Sequence, residues 1–191
     1  MAKIPYPKIE ETPPKVQDFF NKIKANSGQI MNVNLMMAQS PGSVLELIRL
    51  GNRLLNRAKL DHKYRELAII RVSLLCGSKY EWAHHVPIAI QSGVTKKQLE
   101  SIEDWTDSEL FTSEEKIILA YTEEVVRKNE PSKETYNQAS AFLDHSSLVE
   151  LTFSIGYWSM VAKFLRTFQV DIEDDFLEKN KDLFPSNIPE T

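Results

Sequence analysis

Between positions 65 and 85 the chain gathers the side chains best suited to moving protons: Glu66, Cys76, Ser78, Tyr80, Glu81, Trp82, His84 and His85. Glu81 and His85 are four residues apart, which puts them on one face of a helix. Glu66 belongs to the preceding apolar stretch. A carboxylate there is either near the surface end or buried and paired, because burying it alone is expensive. If the chain folds back at Gly77, Glu66 approaches the Glu81–His85 pair. Two carboxylates and an imidazole are enough for acid–base chemistry. In that reading His85 is the general acid, Glu81 its partner and Glu66 the orienting base, with Ser78, Tyr80, Trp82 and His84 around the pocket. His84 and His85 are adjacent and point about 100° apart on a helix, so at most one faces a given site. Pro87 cannot donate to the carbonyl of Ala83, which predicts a kink or loosened turn beside His85.

Each residue also has a plainer reading. Ser78 to Glu81 spells S-x-x-E, a capping box in which Glu81 merely satisfies the Ser78 amide. Glu66 could form a structural ion pair with Arg71, Arg65 or another cation. Cys76 reads as a small buried apolar residue at a helix end. Its functional alternative is a redox thiol whose pKa is lowered by a helix N-terminus and Lys79. No H-x-x-x-H pairing accompanies the carboxylates, so neither a metal site nor a cofactor is expected.

Helices must position these groups. From Lys15 the apolar residues recur at helix spacing, with Val16, Phe19, Phe20 and Ile23 ahead of a stop near Gly28. Ser40-Pro41 opens a second helix, and Asp61 is an N-cap for a third that is apolar on nearly every face and therefore central. Ser78 starts the next, ended by Gly93. Thr95 with Gln98 and Thr112 with Glu115 are capping boxes for two more. A shorter helix follows Pro131, and a long one runs from about 146 to 170. No segment alternates as strands do, so the fold class is all-α. The domain reading is an extended proline-rich arm over 1–14, one helical domain over 15–183 and a tail over 184–191. The arm could lie across a neighbouring subunit, and the acidic stretch 171–175 reads as a solvated helix boundary.

The 191 residues carry a net charge of −4, which leaves no basic footprint for nucleic acid. The most apolar stretch is interrupted by Glu150, Lys163 and Arg166, which argues against a membrane span. The first residues, MAKIPYPKIEETPP, contain no apolar signal core, and the single cysteine suits a reducing compartment. A cytoplasmic protein with a small-molecule substrate is the expectation.

The segments R-E-L-A-I-I-R-V, G-S-K-Y-E-W-A-H-H-V-P-I-A and S-G-V-T-K-K-Q-L-E resemble the carboxymuconolactone decarboxylase domain, which is shared with the alkylhydroperoxidase D proteins. The resemblance reaches more weakly from about 44 to 170. It implies an alkylhydroperoxidase D-like helical domain that assembles as a homotrimer or homohexamer. In the alkylhydroperoxidase branch a relay glutamate precedes C-x-x-C-x-x-x-H. Those positions fall here on Glu66, then Ser78, Glu81 and His85, so the redox pair is absent. The decarboxylase branch carries a glutamate at the second cysteine position, as Glu81 is here. The expectation is cofactor-independent acid–base chemistry, decarboxylation or a related reaction, on a small carboxylated or carbonyl compound. The alternatives are an antioxidant peroxidase using Cys76 and a small-molecule-binding oligomer without catalysis.

Overall fold

The computed structural model describes residues 1–185. Ten α-helices run among these residues: α1 (Pro14–Ser27), α2 (Asn32–Met37), α3 (Val44–Asn56), α4 (His62–Leu75), α5 (Lys79–Gln91), α6 (Lys96–Glu100), α7 (Ser113–Lys128), α8 (Lys133–Ser140), α9 (His145–Phe168) and α10 (Phe176–Lys179). No strand occurs among the described residues. The expected tail over 184–191 is described only at Phe184 and Pro185; its remaining positions lie outside the described residues.

Helix α4 is the centre, as its all-round apolar pattern requires. Every residue from Arg65 to Ser73 is buried, and α5, α7 and α9 pack around it. Leu67 and Ile70 face a core with Trp82, Val86 and Leu119, while Ala68, Ile69 and Val72 face Ile118, Leu151, Ile155 and Trp158. A third core joins α1, α2 and α3 to the end of α9 through Phe20, Met36, Val44, Ile48 and Leu165.

The capping signals at Asp61, Thr95 and Thr112 behave as read. Asp61 accepts from the amides of Lys63 and Tyr64, and capping boxes form at Thr95 with Gln98 and at Thr112 with Glu115. Three expectations need correction. Helix α2 was not expected. The helix assigned to Ser40-Pro41 begins only at Val44, after a turn in which the Ser43 amide donates to the Ser40 carbonyl. The N-terminal arm is not extended throughout, because Ile9–Glu11 forms a 3-10 turn. It lies along its own chain: the Lys3 amide donates to the carbonyl of Phe168, and the Ala2 amide and Tyr6 hydroxyl donate to Asp171.

Candidate active site

The site is set by how α4 ends. Cys76 caps the helix and Gly77 follows at φ +64°, the left-handed conformation that glycine adopts without strain. The Gly77 amide donates to the Leu74 carbonyl at 3.0 Å and the Ser78 amide to the Ser73 carbonyl at 2.7 Å. This is a Schellman closure, and it turns the chain so that α5 runs back along α4. It also consumes the Ser78 N–H. The S-x-x-E capping box therefore does not form, and Ser78 makes no side-chain cap. Neither oxygen of Glu81 has a hydrogen-bond partner.

Glu66 and His85 meet across the α4–α5 interface, with Glu66 Oε2 2.9 Å from His85 Nδ1. Arg65 Nε donates to the other oxygen of Glu66 at 3.0 Å. Of the cations considered for Glu66, Arg65 is thus the partner, whereas Arg71 pairs with Glu123. From α9 the indole N–H of Trp158 donates to His85 Nε2 at 2.8 Å. An indole nitrogen can only donate, so Nε2 is the lone-pair nitrogen and the proton sits on Nδ1, directed at Glu66. Both nitrogens are engaged, and the ring stands edge-on to Trp158. His85, expected as a general acid, carries no proton toward open space in this arrangement.

Glu81 is different. It is buried, unpartnered, and its carboxyl is pushed well above the usual carboxylate range by burial alone. Beside it lies a cavity of about 120 Å³, bordered by Met31, Met37, Ile48, Tyr157 and Val161 together with Glu81, His84 and His85. Tyr157 is pushed up to about 12 by burial and by the neighbouring Glu81. Its hydroxyl donates to the Leu47 carbonyl at 2.9 Å, directly over Gly51. A Cβ at Gly51 would come within 2.6 Å of that hydroxyl, so glycine is what lets α3 approach α9 here.

Tyr80 and His84 border the cavity. Trp82 does not. It points away from Glu81 around the helix and stacks on Phe184 at 5.6 Å in the core behind α5. Ser78 is also outside the cavity and borders a surface groove with Lys79 and Arg166. Cys76 is half-buried, and burial and the Glu81 charge push its thiol up, against the lowering expected from Lys79 and a helix N-terminus. The proline at 87 lies within a continuous α5.

Sequence reasoning missed the residues that close the cavity. Val33 and Asn34 come from the unexpected α2, and Trp158 comes from α9. The acidic stretch 171–175 is not merely a solvated boundary. Glu173 accepts from the Tyr80 hydroxyl and the Asn32 amide, both at 2.7 Å, and its other oxygen lies 2.7 Å from His84 Nε2. Burial raises the Glu173 carboxyl, but those hydrogen bonds prevail and hold it down at about 2. Among the described residues no cluster of His, Cys, Asp and Glu is arranged to hold a metal ion.

The helical fold agrees with the comparisons. Residues 46–124 match the carboxymuconolactone decarboxylase family model, and the chain, with its single cysteine, carries no cysteine pair. No curated protein matches. Among solved structures, an uncharacterized peroxidase-related protein with an alkylhydroperoxidase AhpD core from Ralstonia eutropha JMP134 superposes with a TM-score of 0.79 at 13% identity, covering 92% of this chain and 94% of that one. A peroxidase-related protein from Silicibacter sp. TM1040 superposes with a TM-score of 0.78 at 13% identity, covering 92% and 93%. The debrominase Bmp8, as a cysteine-to-alanine variant with 2,3,4-tribromopyrrole, gives 0.69 at 16% identity, covering 89% and 91%. At these identities the likeness is one of fold. No helix among the described residues is long and apolar enough to cross a membrane.

Proposed function

We propose that the protein carries out cofactor-independent acid–base chemistry on a small carbonyl compound in the α2–α3–α5–α9 cavity, with Glu81 as the proton donor. The observation that supports this most is Glu81 itself: a buried carboxyl beside a cavity, both oxygens without a partner, pushed well above the usual carboxylate range by burial. Such a group costs stability and serves no neighbour, which is the pattern expected of a catalytic acid. As a C–H bond next to the substrate carbonyl breaks, its proton passes to water and the electron pair moves onto the carbonyl oxygen. Glu81 gives its proton to the resulting enolate and is left as a carboxylate, to be reprotonated from water. Glu66, Arg65 and Trp158 are positioning residues that fix the ring of His85 in the cavity wall.

The peroxidase-related neighbours make thiol chemistry the rival reading, with Cys76 as its only nucleophile. The upward shift of that thiol disfavours it. Assembly into a homotrimer or homohexamer belongs to the same proposal.

The test combines ¹³C NMR of the Glu81 carboxyl with turnover assays on small lactones and enolisable ketones. A protonated carboxyl at pH 7 and a turnover reduced about 100-fold or more by Glu81→Gln are expected. An ionised Glu81, or turnover indifferent to Glu81→Gln, would overturn the proposal.

A further inference from the structure

The Glu81 cavity is bordered by no lysine and no arginine. The buried arginines are committed elsewhere: Arg65 donates to Glu66, and Arg71 donates to Glu123 and to the Ile102 carbonyl. A carboxylate ligand would therefore lose most of its water and find no lysine or arginine to offset its charge, the polar neighbours of Glu81 in the lining being Asn34, Asn52, Tyr80, His84 and His85. An ammonium ligand would meet a partner in Glu81 only if that carboxyl first gave up its proton. An uncharged ligand faces neither cost. A protonated carboxyl offers one donor and one acceptor side by side, and both oxygens of Glu81 are without partners.

The complement of that edge is an acceptor and a donor on adjacent atoms, held on the same side. A ketone satisfies only half of it. A cis-amide edge satisfies all of it, and small rings enforce the cis form. Size narrows the class further. The cavity is about 120 Å³, and an engineered apolar cavity of about 150 Å³ takes one benzene. A single ring of about six heavy atoms is the fitting scale. Tyr157 and Trp158 supply aromatic walls, and Ile48, Val161 and Leu165 supply aliphatic ones.

We propose that the cavity takes an uncharged, single-ring molecule with a cis-amide edge, such as a lactam or the keto tautomer of a hydroxy-azine, paired to Glu81 through two hydrogen bonds. This rests on the reading of Glu81 as a neutral acid and narrows its substrate class. Anions are excluded by the lack of a cation, and simple amines by the need to ionise Glu81.

The experiment titrates the full chain at pH 7 with 2-pyrrolidinone, N-methyl-2-pyrrolidinone, cyclobutanecarboxylate and pyrrolidine, following amide shifts of α5 and α9 by NMR. Only 2-pyrrolidinone should shift the amides around Glu81 and Trp158, with the N-methyl compound, which lacks the donor, at least about tenfold weaker. Glu81→Leu should weaken the lactam by about tenfold or more. Glu81→Gln should hold it within about threefold, since a primary amide also offers a donor and an acceptor. Circular dichroism of both variants checks the fold. If ¹³C NMR finds Glu81 protonated but the lactam fails to bind, or binds Glu81→Leu equally well, the inference is overturned while the acid role stands. If Glu81 is ionised and pyrrolidine binds best, both fall.

Discussion

The indole N–H of Trp158 donates to Nε2 of His85 at 2.8 Å, across the interface of α9 and α5. That one bond decides which nitrogen of His85 carries its proton. Phe in place of Trp158 keeps an aromatic wall and removes the donor. Trp158→Phe should cost about 1–2 kcal/mol, because a buried ring nitrogen loses its partner. ¹⁵N NMR of His85 should show the Nδ1–H tautomer in the wild type and a mixture in the variant. An unchanged tautomer would mean that Glu66 alone fixes the ring.

Glu81 predicts a pH dependence with a definite sign. Its folded carboxyl is raised above the ordinary value of 4.5 by burial. Above pH 4.5 the unfolded chain releases this proton while the folded protein keeps it, so folding stability falls as pH rises toward the folded pKa. The decline attributable to Glu81 approaches about 1.4 kcal/mol per pH unit. Urea denaturation at several pH values should therefore show Glu81→Gln gaining on the wild type as pH rises from 5 to about 7. A difference that does not change with pH would show that Glu81 is solvated or paired.

How much of this was legible in the sequence depends on whether a signal is local. Asp61, the two formed capping boxes and the glycine after Cys76 speak through residues at most a few positions away, and the helices they start or end were readable. Ser78 and Glu81 spell the same box and do not form it, because the Ser78 amide is taken by Ser73 in the preceding helix. Nothing inside S-x-x-E reports that. Helix α2 has only six residues, too few to display a helical period. The His85–Glu66 contact was inferable from spacing plus a fold-back at Gly77. Trp158 and Glu173 reach the site from positions 73 and 89 residues away from their histidine partners, and no local pattern carries such a contact.

Glu173 ties three elements together at the rim of the cavity: the start of α2, His84 and Tyr80 on α5, and the segment before α10. Burial opposes its ionised form, but the hydrogen bonds win and hold the carboxyl down at about 2. Its contribution is thus fully present above the unfolded value near 4.5 and is lost as pH falls toward 2. Glu173→Gln should cost about 1–3 kcal/mol at neutral pH and flatten that acid limb. Hydrogen exchange should report faster opening at α2, with α4 unaffected. Unchanged protection of α2 would rule out the tie.

Peroxide chemistry should be slow. Cys76 is the single cysteine, half-buried, and its thiol is raised by burial and by Glu81 against the lowering of Lys163 and Arg166. A sulfenic acid formed there has no resolving thiol within its own chain, so an external thiol must return it. Peroxide consumption with a thiol donor should lie near background and fall little further in Cys76→Ser. Rapid consumption abolished by Cys76→Ser and untouched by Glu81→Gln would transfer the function to the thiol.

Helix α9 leaves an apolar stripe uncovered. Val149, Phe153 and Met160 are exposed, and Gly156 between them has nothing within 4 Å of where a Cβ would stand. Positions 149, 153, 156 and 160 fall on one side of the helix, a spacing of four, three and four residues. On a lone chain this stripe would face water along the helix that carries Trp158. A second copy of the chain is the occupant proposed for it, with the glycine admitting close approach of a neighbouring backbone. Light scattering at micromolar concentration should give a trimer or a hexamer for the wild type. Phe153→Asp, which places a charge at an exposed position in the middle of the stripe, should shift that population toward monomer. Circular dichroism should show its helix content unchanged. A wild-type chain that scatters as a monomer refutes the assembly outright. A Phe153→Asp chain that assembles like the wild type moves the contact to another face.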